Sequence, residues 1–142
     1  MIEDDIAFLI DRLLRATNLG YHARVKGNAS EKIWPADGLF LVALSEAQPA
    51  TMTALSTILG RDKSQLTRTA NKLEDRNLLV RSSSEDDARL TLLRLTENGE
   101  EAVNDIRAIT RSTIIEMLEP LSKQERTILA SLLKRLANSS QN

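Results

Sequence analysis

Along one stretch of the chain, Ser64, Arg68, Asn71 and Asp75 recur at helical spacing, with Gln65, Thr67 and Lys72 beside them. These side chains are donors and charges, poor material for a core. A guanidinium at Arg68 can donate two hydrogen bonds to a planar acceptor pair such as a guanine edge. Ser64 and Gln65 stand in the first turn, the part of such a helix that reaches deepest into a groove. Thr67 and Lys72 suit phosphate oxygens, as do Arg61 and Lys63 just before them. Each residue also has a plainer use. Ser64 could cap its helix, Arg68 could pair with Asp62 or Asp75, and Lys72 could be an ordinary solvated lysine.

The elements that would hold these side chains follow from the apolar residues between them. Thr53 to Leu59 reads as a short helix with Leu55, Ile58 and Leu59 on one face. Gly60 stops it, because glycine takes the left-handed conformation after a helix without a steric penalty. A second helix then runs from Lys63 to about Arg76, with Leu66, Ala70 and Leu73 as its inward stripe. Asn77 suits the left-handed position that ends it. Leu78 to Ser82 and Leu90 to Leu95 are extended candidates around the polar loop from Ser83 to Arg89. Two helices joined by a tight turn, then two strands and a loop, read as a helix-turn-helix with a wing. The second helix is then the one that enters a DNA major groove.

The run LSTILGRDKSQLTRTANKLEDRNLLVR, then Asp87-Ala88-Arg89, then LTLLRLTENG, resembles the MarR family of winged helix-turn-helix regulators. The family pattern has a leucine-rich helix and Gly, then D-[KR]-S-x-[LV]-T-R, then E-x-x-x-L. A D-x-R in the wing and a later L-T-x-x-G complete it. About forty-five residues match closely, and the helix order extends the likeness along the chain. Asn77 replaces a usual Gly, Ser56 a usual Ala, and Ala88 the commoner Arg beside Arg89. The last change removes a positive charge from the wing. The resemblance implies a homodimer whose terminal helices interlock, and a small ligand, often an aromatic acid, between those helices and the DNA-binding part. Tyr21, His22, Arg24 and Trp34 are the ligand candidates, since they bring rings and a cation to that region; packing is their plainer use. In the wing, Arg89 is placed to enter the minor groove or clamp its phosphates. Asp87 would hold the loop in shape; a freely solvated loop is the alternative.

Composition narrows the function classes. The 142 residues suit one domain, or one with dimerisation extensions, and 42% hydrophobic with 27% charged residues is ordinary for a globular chain. Aromatics are only 3%, so the core must be aliphatic, which suits a mainly α fold. There is no Cys and a single His, so thiol chemistry, disulfides and a Cys- or His-rich metal site are not expected, and no cofactor is implied. No nucleophile–base pair or phosphate loop marks an enzyme. The acidic start, Met1 to Asp5, and the lack of a long apolar run suggest neither signal peptide nor membrane segment, so a cytoplasmic protein is expected.

The net charge of -1 argues against DNA binding until it is placed along the chain. From Arg61 to Arg81 six basic residues face three acidic ones; before Arg61 the tally is five to seven, and after Leu95 six to seven. A positive excess confined to the reading head is what a phosphate-facing surface requires. The rival reading keeps the winged fold as a protein-interaction module without specific DNA binding.

The rest of the chain reads as four more helices. Glu3 to about Val25 carries Ile6, Leu9, Ile10, Leu13 and Leu14, with Gly20 as a bend or early end. Arg24 to Lys32 forms a polar connector. Pro35 opens a helix to about Ala47 that is apolar on several sides and fit for the centre of the fold. Thr96 caps a helix to about Glu119, before Pro120, with Val103, Ile106, Ile109, Ile114 and Met117 on one face. Ser122 and Glu125 form a capping box for the last helix, to about Ala137, lined by Ile128, Leu129, Leu132, Leu133 and Leu136. Beyond it the tail from Asn138 to Asn142 should fray. The expected organisation is a winged lobe at 36–95 with dimerisation helices at 1–30 and 96–142. Six helices and a two-stranded wing make it α+β. A second copy would cover the terminal helices' apolar faces, burying at least about 2,000 Å². Two heads would then read an inverted repeat of double-stranded DNA, with half-sites about one helical turn apart.

Overall fold

The computed structural model describes residues 1–25, 33 and 35–140; Trp34 and most of the connector before it lie outside these. Helices α1 (Ile2–Val25) and α2 (Pro35–Ala47) lead into α3 (Met52–Leu59) and α4 (Lys63–Asp75). Strands β1 (Leu79–Ser83) and β2 (Thr91–Leu95) form an antiparallel hairpin, followed by α5 (Glu97–Met117) and α6 (Lys123–Ser139). Both expected strands are present, each starting one residue later than expected. Their register pairs Leu79 with Leu95 and Ser83 with Thr91. Ala50 adds a bridge to Leu93, so the chain entering α3 is tied to the wing's second strand.

The core is aliphatic and centred on α2. Phe40, Leu41 and Leu44 meet Leu55 of α3, Leu66 and Leu73 of α4, Leu79 and Leu93 of the hairpin, and Val103 of α5, all essentially without solvent contact. The inward stripe of α4 is Leu66, Ala70 and Leu73, as the spacing predicts. One residue expected on the inner face of α3 is not buried. Ile58 is 55% exposed, because α3 is packed on one side only and Ile58 falls on the outer flank while Leu55 and Leu59 turn inward. Leu39 of α2 is likewise exposed.

Caps fix the element ends. The Thr51 and Asp62 side chains accept from the backbone N–H groups of Ala54 and Gln65 at the starts of α3 and α4. Gly60 closes α3 at φ 62°, and the Ser56 hydroxyl donates across the turn to the Arg61 carbonyl at 2.6 Å. That bond gives the departure from alanine at position 56 a use. Asn77 takes φ 59° after α4. Thr96 joins two ends at once. Its hydroxyl donates to the Asn77 carbonyl at 2.6 Å and accepts from Gly99 N–H at 3.0 Å. A Cβ on Gly99 would stand 2.0 Å from the Leu78 carbonyl oxygen, so only glycine lets α5 start against the turn after α4.

Gly20 is neither bend nor end. Helix α1 runs through it to Val25, and a Cβ there would lie 2.5 Å from the Thr113 side chain. The missing side chain lets α1 close on α5, where Arg24 is paired with Glu116. Helix α5 stops at Met117, slightly short of expectation, and the capping box of Ser122 and Glu125 opens α6. Asn138 and Ser139, expected to fray, continue α6. No residue of α6 is buried, and along α1 only Tyr21 is.

Candidate nucleic-acid interface

Helix α4 presents its polar face outward because its three apolar residues consume the inner one. Ser64, Gln65 and Arg68 are all exposed. Asp62 supplies the N-cap at 2.9 Å to Gln65 N–H, so Ser64 is not needed for it. The Ser64 hydroxyl and the Arg68 guanidinium make no hydrogen bond or ion pair with another described residue, although Asp62 and Asp75 are near in sequence. Arg61 is half-buried and Lys63 exposed at the turn, again without an ion-pair partner among the described residues. The helix N-terminus, with its partial positive charge, lies at the same end as Arg61, Lys63 and Ser64. Thr67 is exposed but donates its hydroxyl proton to the Lys63 carbonyl at 2.7 Å.

Lys72 has a role that the sequence did not disclose. Its ammonium lies 3.1 Å from the Asp37 carboxylate, which is only 5% exposed in the first turn of α2. Most of the Lys72 side chain remains in solvent, so the pair anchors α4 to the central helix α2 at the edge of the core. The available signal was an aspartate in the first turn of a strongly apolar helix, which demands a partner if buried. Arg81 of β1 also turns inward on the head. It donates to Glu74 at 2.6 Å and to the Asn71 amide oxygen at 2.8 Å, joining the wing to α4. Lys72 and Arg81, both counted in the positive excess of this region, are therefore paired with carboxylates within the molecule.

In the wing, Arg89 extends into solvent with its side chain 90% exposed. Its Nε and Nη2 donate to the two Asp87 carboxylate oxygens at 3.1 and 3.3 Å, and its backbone N–H donates to Asp87 at 3.0 Å. The side-chain bond from Arg89, then the backbone bond, hold the Asp87 carboxyl below its ordinary pKa. Ser84 closes the loop by accepting from Asp86 N–H, while Ser84 N–H donates to the Leu90 carbonyl. Glu85 and Asp86 are exposed on the same loop.

Of the ligand candidates, Tyr21 is buried in the core, its hydroxyl donating to the Ile33 carbonyl at 3.4 Å, and burial raises its pKa. His22 meets Tyr21 edge-on with ring centres 6.4 Å apart. Arg24 is occupied by Glu116 and by the Gly20 carbonyl. Trp34 lies outside the described residues.

The family model described as MarR family matches residues 35–91, which span α2, the two helices just described and the wing to the start of β2. Over that stretch the chain resembles the MarR family. The uncharacterized HTH-type transcriptional regulator YdgJ of Bacillus subtilis (strain 168) is 29% identical over 102 residues, 72% of this chain and 62% of YdgJ. The HTH-type transcriptional regulator MhqR of the same organism is 37% identical over 71 residues, 50% of this chain and 49% of MhqR. The matched part of the chain thus spans less than two thirds of either relative. Among solved structures, a mutant MarR from E. coli complexed with operator DNA superposes with a TM-score of 0.74 at 21% identity, covering 93% of each chain. Six helices and a two-stranded antiparallel wing are therefore the MarR winged-helix fold. Among the described residues, no helix is long and apolar enough to cross a membrane.

Proposed function

We propose that this chain is a sequence-specific transcriptional regulator of the MarR family that binds double-stranded DNA as a homodimer and acts as a repressor. One observation carries the reading: the first turns of α4 offer Ser64, Gln65 and Arg68 outward and uncommitted, on a helix whose inner face is fully packed. Arg68 reads a guanine edge, Arg61 and Lys63 hold phosphates, and Arg89 exchanges Asp87 for the minor groove. The MarR from E. coli solved with operator DNA shares this fold. Residues 36–95 form the reading lobe, and residues 1–30 and 96–142 the dimerisation helices. The exposed aliphatic faces of α1 and α6 support a second copy as their cover. A small aromatic effector, bound where α1 meets the lobe, would act by favouring one spacing of the two heads. The chain works in the cytoplasm and catalyses no reaction.

Gel shift against the inverted repeat nearest its own coding region, at two salt concentrations, tests this. Specific binding should weaken as salt rises, and Arg68→Ala should cost roughly 1–3 kcal/mol at each half-site. Binding indifferent to both salt and Arg68 would favour a protein-interaction module instead.

A further inference from the structure

Asn71 lies on the same outer line of α4 as Ser64 and Arg68, one turn beyond Arg68, and is exposed. Unlike them it is held. Arg81 reaches from β1 and places one guanidinium nitrogen 2.8 Å from the Asn71 Oδ1 and the other 2.6 Å from a Glu74 carboxylate oxygen. A guanidinium only donates, so the amide atom facing it must be the oxygen; the flipped amide would set donor against donor. Glu74, three residues along the same helix, fixes the other branch of Arg81 and with it the plane of the fork. An exposed asparagine normally turns either end toward a partner. This one has its acceptor engaged, and its NH₂ group is left as the end that can serve a ligand.

We propose that Asn71 is a specificity-determining residue that reads the operator as a hydrogen-bond donor, with Arg81 as the positioning residue that sets its orientation. The proposal rests on α4 being the recognition helix. Base edges differ in the sense of their hydrogen bonds: guanine O6 and N7, adenine N7 and thymine O4 accept in the major groove, whereas cytosine N4 donates. A donor fixed toward the groove accepts several edges and rejects cytosine. The bidentate pairing of asparagine with adenine also needs the amide oxygen and is disfavoured here.

Selection from a randomised duplex library, followed by sequencing of the bound fraction, tests this with the intact protein. Wild type should exclude cytosine at one position of each half-site. Asn71→Asp exchanges the donor for an acceptor and should raise cytosine at that same position by about tenfold relative to wild type. Arg81→Lys, which cannot hold both partners in one plane, should relax that position by about fivefold and leave the others unchanged. Thermal unfolding of both variants guards against a trivial loss of fold, since Arg81→Lys keeps a cation beside Glu74. Variants that shift every position alike, or none, would overturn the role of Asn71 while leaving α4 as the reader. A wild type with no sequence preference would overturn both.

Discussion

The winged lobe and the terminal helices divide the apolar residues of this chain in opposite ways. In the lobe, Leu55, Leu66, Leu73, Leu79 and Leu93 are sealed around α2, and only scattered apolar residues such as Leu39 and Ile58 remain outside. In α1 and α6, Ile6, Leu9, Ile10, Leu13 and Leu14, then Ile128, Leu132, Leu133 and Leu136, face outward. Capped helices occur in both regions, α3 and α4 in the lobe and α6 outside it, so helix formation does not explain the contrast. The lobe finds enough partners within one chain; the terminal helices do not. Apolar surface on that scale points to a partner surface.

Substitutions of matched leucines should break the contrast first. Leu73→Ala in α4 removes a fully buried side chain and should cost roughly 2–5 kcal/mol in urea unfolding. Leu132→Glu in α6 should leave the lobe folded, while sedimentation shows a monomer and the melting temperature loses its dependence on concentration. A dimer that survives Leu132→Glu would mean α6 is not its interface.

Next in size is the junction between the regions. Gly99→Ala forces a methyl against the Leu78 carbonyl and should destabilise by roughly 1–3 kcal/mol in the same assay. Lys72→Ala, which strips the buried Asp37 of its ion-pair partner, should cost about 1–2 kcal/mol, allowing for the solvent around the ammonium. If Lys72 instead holds a phosphate, the salt dependence of DNA binding will fall by about one ion per half-site in that variant.

The smallest effect belongs to the wing. Asp87 titrates below its ordinary 3.8 because Arg89 stabilises the carboxylate. A depressed folded pKa means that the loop's ion pair is complete above the ordinary value and is lost as pH falls through the lower, folded one. Carboxyl NMR should show that low midpoint, and Arg89→Ala should return it toward 3.8. An unchanged midpoint would mean that Arg89 does not hold the loop.

Much of this was legible because the sequence signals were local. Leu66, Ala70 and Leu73 recur at i, i+4 and i+7; Gly60 and Asn77 mark left-handed ends; and Ser122 with Glu125 spells a capping box. What escaped was non-local. Gly20 looks like a helix breaker until Thr113 is placed beside it, ninety-three positions away. Lys72 looks solvated until Asp37 arrives from α2, and Arg81 counts toward the local positive excess until Glu74 and Asn71 claim it. Nothing in a helical pattern reports which of its charges another element will neutralise.

Footprinting of the bound protein on its selected duplex tests the central claim most directly. Two copies of α4 in successive major grooves should protect guanine N7 in two patches on one face of the DNA, about 10 base pairs apart, at two chains per duplex. A single patch, or one chain per duplex, would contradict the account.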